Sequence, residues 1–252
     1  MTLRAALYLF LGCLLVGCVT EGNIDPMKTG KGRDEARDAF IQLGIGYLQQ
    51  GETGRAKVPL KKALELDPSS ADAHVALALV FQREMEPELA DAHFKKALSQ
   101  NGSDARVLNN YGSFLFEQKR YEDALSKYAK AAEDSLYPER SRVFENMGVT
   151  SLQLGRVGDA KSYFERAYRL SPRQPRTLLE LASLSYDAQD FVRAKKYYDD
   201  FRLGSEQNAR SLLLGSRLAR VFEDRDQAAS LGLQLKRLYP GTPEYQQYLS
   251  EQ

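Results

Sequence analysis

The feature that most restricts this chain is an internal period of 34 residues that runs through most of its 252. Phe40, Leu43, Gly44, Tyr47, Ala56, Leu60, Ala63 and Pro68 recur one period later as His74, Leu77, Ala78, Phe81, Ala90, Phe94, Ala97 and Gly102. The next copy reads Leu108, Tyr111, Gly112, Leu115, Ala124, Tyr128 and Ala131. After a short insertion near Tyr137-Pro138 the register returns at Phe144, Met147, Gly148, Ser151, Ala160, Phe164, Ala167 and Pro172. Two further copies run from Leu178 to Phe201 and from Leu212 to Pro240. Every copy keeps small residues in two slots, Gly44 with Ala56 in the first copy and Ala182 with Ala194 in the fifth. Small side chains at fixed helical spacing let two helices of one hairpin cross closely, and bulky ones fill the space between neighbouring hairpins. One helical hairpin cannot bury its apolar face alone, so such units must stack.

This pattern matches the tetratricopeptide repeat. It predicts an all-α fold, a right-handed superhelix or solenoid of six repeats at 37–70, 71–104, 105–140, 141–174, 175–208 and 209–242. Pro68, Pro172, Pro240 and Gly102 stop the second helix of their repeats. Residues 243–252, with Tyr245, Tyr248 and Leu249, read as a short amphipathic segment capping the last hairpin.

The amino terminus sets an expected compartment. Met1-Thr2-Leu3-Arg4 is followed by an apolar run from Ala5 to Val16, which reads as the hydrophobic part of a secretory signal. It falls short of the roughly 20 apolar residues of a comfortable membrane span. Leu15-Val16-Gly17-Cys18 resembles the lipobox of bacterial lipoproteins. That resemblance implies a signal peptide over 1–17, cleavage before Cys18, and lipidation of the Cys18 thiol and of the new amino terminus, with palmitate-type chains among the acyl groups. Acyl chains together anchor firmly where one alone binds marginally. By the sorting rule of such lipoproteins, Val19 in place of Asp directs the chain to the outer membrane, facing the periplasm. Residues 18–36, polar with Gly22, Asn23 and Pro26, read as a lipidated tether, whose stretch 19–35 spans at most about 50–60 Å when extended.

Composition narrows the chemistry. The cysteines number two, Cys13 in the signal and Cys18, so the repeats can form no disulfide or zinc-thiolate site. With 35 Lys and Arg against 34 Asp and Glu, nothing asks for a nucleic-acid partner. The histidines are His74, in a packing slot, and His93, and neither has metal-ligand spacing. No phosphate-cradling glycine loop occurs. The expectation is a non-enzymatic protein with no cofactor and no metal, monomeric outside its complex.

In arrays of this kind the first helix of each repeat lines the inner curve. In the first two repeats its inward slots hold Ile41, Ile45 and Leu48, then Val75 and Leu79, which predicts an exposed apolar groove for a partner. Farther on, the second slot is Arg in four successive repeats: Arg106, Arg142, Arg176 and Arg210. These read either as a ladder gripping carboxylates of an acidic partner, or as cations paired internally with Glu145 or Glu180.

Beyond the generic slots, several segments resemble the type IV pilus pilotin family, PilF/PilW, a group of outer-membrane lipoproteins with tetratricopeptide repeats. They are Gly32 to Ala39, Arg106 to Gly112, Tyr137 to Asn146 and Asn208 to Gly215. The resemblance covers essentially the whole chain. It implies a scaffold that binds secretin subunits, promotes their localisation and multimerisation in the outer membrane, and so serves pilus biogenesis and twitching motility. Two other roles fit an anchored array of this kind, in outer-membrane barrel assembly or in activating a cell-wall enzyme.

Overall fold

The computed structural model describes residues 28–251. The expected signal peptide over 1–17, the lipidation site Cys18, Val19 and the tether up to Met27 lie outside the described residues. Within them the chain is entirely helical apart from turns, and it divides into two compact units, one ending at His93 and one beginning at Phe94.

The first unit holds α1 (Gly30–Gln49), α2 (Thr53–Leu66), α3 (Ala71–Arg83) and the start of α4 (Pro87–Gln100). Helix α1 begins earlier than the expected tether boundary at residue 36. Its first turns have no apolar period to betray them. Instead Thr29 caps the helix, its hydroxyl accepting from the Gly32 N–H at 3.0 Å, and Arg37 pairs with Asp34 at 2.9 Å. The core of this unit joins Ala56, Leu60, Leu77 and Val80, with Ile45, Tyr47 and Leu48 packed partly buried against it.

The second unit contains α5 (Ala105–Glu117), α6 (Tyr121–Ala131), α7 (Arg140–Gln153), α8 (Val157–Leu170), α9 (Pro175–Asp187) and α10 (Phe191–Gly204). Three more helices follow: α11 (Ala209–Val221), α12 (Arg225–Leu238) and α13 (Pro243–Ser250). Its main core gathers Phe164, Leu178, Leu181, Tyr198, Phe201 and Leu218. The small slots act as predicted. A Cβ placed on Gly112 would come within 2.7 Å of the Tyr128 ring, and one on Gly148 within 2.7 Å of the Phe164 ring. Helix α13 closes the end of the unit: Tyr248 lies against Gly232, and Glu251 accepts from both Arg217 and Arg220. Those two guanidinium groups hold the Glu251 carboxyl below its ordinary pKa.

The turn inside every hairpin is built the same way. Gly51, Met85, Lys119, Gly155, Gln189 and Glu223, the same slot of successive repeats, all have φ between 58° and 82°. The N–H of the following residue reaches back to the preceding helix, as from Glu86 to the Phe81 carbonyl and from Arg120 to the Leu115 carbonyl, both at 2.9 Å. This is the Schellman ending, which favours glycine because a Cβ clashes in the left-handed region. Of the six positions only 51 and 155 carry glycine. Replacing Met85, Lys119 or Gln189 by Gly relieves about 1–2 kcal/mol of strain and returns about 0.5–1 kcal/mol through the looser unfolded chain. Each variant is therefore expected to gain a fraction of 1 kcal/mol, up to about 1, seen as a higher urea midpoint at unchanged slope. A lower midpoint would mean the side chain contributes more at its turn than the strain removes.

Candidate partner-binding surfaces

The expected apolar groove is only partly available. Ile41 and Val75 are each 4% exposed, so they belong to the core and present no contact area. Ile45, Leu48 and Leu79 are half-buried. The cause lies in the fifth slot, which here packs successive first helices together: Ile41 clusters with Ala63 and with Ala73 of the next first helix. Farther along the chain the same slot is buried at Asn109, Leu179 and Leu213.

The exposed apolar surface of the first repeat lies elsewhere. The seventh slot is buried at Leu77, Tyr111, Met147 and Leu181, yet Leu43 in the first repeat is 48% exposed. Val58 on α2 is 59% exposed beside it. Phe40, Leu43, Tyr47, Val58 and Pro59 line a shallow cleft of 260 Å³ whose rim carries Arg55 and Lys62. Arg55 stacks over Tyr47 at 4.3 Å and Lys62 sits 5.5 Å from the Phe40 ring centre. Arg55 also pairs with Glu52 at 2.5 Å, so an apolar floor with Lys62 at its rim suits an apolar partner segment. A signal for this face was present in the sequence. The bulky inter-repeat slots of the first repeat have no preceding repeat among the described residues to pack against.

The four arginines do not act as one ladder. Arg210 donates two hydrogen bonds to Glu180, at 2.6 and 2.7 Å, which is the internal pairing anticipated for Glu180. Bonding to the Glu180 carboxylate raises the Arg210 pKa. Arg142 pairs at 3.3 Å with Glu139, the N-cap of its own helix, and Arg106 lies 3.7 Å from Asp104. Arg176 makes no ion pair with any described residue and borders two clefts, of 200 and 630 Å³. Glu145, the other anticipated acceptor, instead takes a hydrogen bond from the Thr177 hydroxyl at 2.7 Å.

The two histidines meet, which their spacing did not foretell. His74 Nδ1 is 3.0 Å from His93 Nδ1, and His74 Nε2 is 3.1 Å from the Pro68 carbonyl. A carbonyl only accepts, so in the neutral ring His74 carries its proton on Nε2 and receives one from His93 on Nδ1. The pair ties α3 to α4 as packing. Among the described residues no group of three or more His, Cys, Asp or Glu side chains is placed to hold a metal ion.

Comparison with known proteins extends these observations. Residues 103–173 and 146–208 match models of the tetratricopeptide-repeat family. The chain is 63% identical over 251 residues to the type IV pilus assembly protein PilF of Pseudomonas aeruginosa PAO1, covering all of both chains. The solved structure of Pseudomonas aeruginosa PilF superposes with a TM-score of 0.85 at 64% identity, covering 88% of this chain and all of that one. PilW, described as a widely conserved type IV pilus biogenesis factor, superposes with a TM-score of 0.72 at 27% identity, over 85% of this chain and 99% of its own. With likeness to PilF unbroken from end to end, and with the repeat slots and hairpin turns of an all-α tetratricopeptide array, the chain belongs to the PilF family of type IV pilus assembly proteins.

Proposed function

We propose that this protein is the pilotin of a type IV pilus machine. It binds a secretin subunit through its repeats and carries or holds that subunit at the outer membrane through acyl chains on Cys18. The observation that carries this reading is the 63% identity to a type IV pilus assembly protein over the full length of both chains. The repeats supply stacked helices with open faces, and a tetratricopeptide scaffold in a pilus assembly family supports capture of a partner as its action. The exposed floor formed by Leu43 and Val58 at the first repeat is the contact we assign to the secretin, and the half-buried Ile45, Leu48 and Leu79 are secondary candidates.

Purification of the natively acylated protein from membranes, followed by mass spectrometry of what accompanies it, tests the reading. Secretin subunits are expected in the eluate. The Leu43→Glu/Val58→Glu variant should fold within about 0.5 kcal/mol of the parent, since both side chains are exposed, and should lose secretin enrichment. A Cys18→Ala variant should move from the membrane to the soluble fraction, because the thioether cannot form. Recovery of barrel-assembly proteins or cell-wall enzymes without any secretin would end the pilotin reading.

A further inference from the structure

The second unit contains an arginine, Arg176, with no ion-pair partner among the described residues. Arg176 and Glu180 stand one helical turn apart on α9, the spacing at which Arg and Glu normally pair. Here Glu180 is 7% exposed and both its oxygens accept from Arg210. Glu145 is bonded to Thr177, and among the described residues no carboxylate pairs with the Arg176 guanidinium, which leaves its donors open to a ligand. Its electrostatic effect is felt at Tyr128: burial pushes that phenol up to about 12, and Arg176 partly offsets the rise.

Both clefts that meet at Arg176 combine apolar floor with polar rim. On one side lie Phe116 and Val149, with Asn146 beside them. On the other lie Leu179 and Phe201. Asn146 donates its amide N–H to Asn109 at 3.2 Å, and its side-chain oxygen accepts from no described residue. That oxygen is placed to receive a backbone N–H. Glu117 borders the first cleft and Glu206 the second, so a second anion would be repelled on either side.

We infer that Arg176 and its two flanking clefts form a binding site for an extended peptide segment bearing a single carboxylate between apolar side chains. The carboxylate takes the guanidinium fork, the apolar neighbours enter the two clefts, and a backbone N–H of the segment meets Asn146. Arg210 acts as a positioning residue, because it holds Glu180 away from Arg176. The inference rests on the proposed function only in taking capture of a protein partner to be the task.

The test uses the purified full chain with labelled methyl groups and two probes, the amides N-acetyl-Leu-Asp-Leu and N-acetyl-Leu-Asn-Leu. The Asp tripeptide is expected to shift the Val149 and Leu179 methyl resonances saturably in the millimolar range. The Asn tripeptide should bind roughly ten-fold more weakly, as loss of a charge-assisted bidentate contact implies. Arg176→Gln should abolish that difference, while Arg176→Lys, which keeps the charge and loses the fork, should fall between. Equal binding of the two tripeptides, absence of a saturable shift, or an unchanged Arg176→Gln variant would overturn the site. Failure here leaves the secretin reading to its own pull-down. Absence of a secretin there leaves the tripeptide result untouched.

Discussion

Replacing Phe164 by alanine is expected to lower stability by about 3–5 kcal/mol, the usual range for truncating a fully buried ring. The ring is 0% exposed and lies where α7 and α8 cross, within the cluster that holds Ala160, Leu178 and Leu181. Gly148 faces it so closely that any Cβ there meets the ring edge at 2.7 Å. Gly148→Ala in the parent should therefore cost about 1–3 kcal/mol by overpacking. In the Phe164→Ala background the obstruction is gone, and alanine is the better helix residue by about 1 kcal/mol. The same substitution is then expected to be neutral or stabilising. Urea unfolding of the parent, the two single variants and the double variant gives the coupling directly. An equal cost for Gly148→Ala in both backgrounds would remove the ring contact as the reason for glycine in this slot.

Much of this fold was legible because the repeat puts the same steric demand at the same slot again and again. Ala56, Ala90, Ala124, Ala160 and Ala194 are all fully buried, as a slot for close helix crossing requires. What escaped the period was anything decided by a partner outside it. The early start of α1 rests on the Thr29 cap and on Arg37, which also lies 3.5 Å from Asp67, and polar residues joined in that way leave no apolar rhythm. The left-handed turn slot was hidden because Met85, Lys119, Gln189 and Glu223 occupy it in place of glycine. An apolar residue in an inward slot serves either a partner or the neighbouring helix, and the period does not tell these apart: Ile41 and Val75 are buried, and Ile41 packs against Ala73 of the next first helix. The apolar face left open, with Leu43 and Val58, lies on the first repeat, before which no repeat stands among the described residues. The arginine slot likewise repeats in sequence but not in environment, because Asp104, Glu139 and Glu180 differ in where they stand.

Arg210→Ala should be costly in a way that Glu180→Ala is not. Glu180 is 7% exposed, so removing Arg210 leaves a carboxylate with little water and only Arg176, one helical turn away, to turn to. Breaking a buried pair in this manner costs about 3–5 kcal/mol, and the 44% exposure of the Arg210 side chain argues for the lower end. Removing Glu180 instead leaves a long cation that can turn into solvent, at a cost of about 1 kcal/mol or less from the ion pair itself. Replacing both by leucine should recover most of the loss, because no buried charge then remains. Thermal unfolding of the three variants reads the asymmetry, and equal losses in the two single variants would mean the pair is effectively solvated. The same substitution reaches into the neighbouring site. Without Arg210, the Glu180 carboxylate is free to turn to Arg176 one helical turn away. The folded fraction of Arg210→Ala should then bind the Asp tripeptide more weakly than the parent. The leucine pair, which removes that competitor, should bind it as well as the parent does. Arg210 and Glu180 would thus set both the stability of the second unit and the readiness of Arg176.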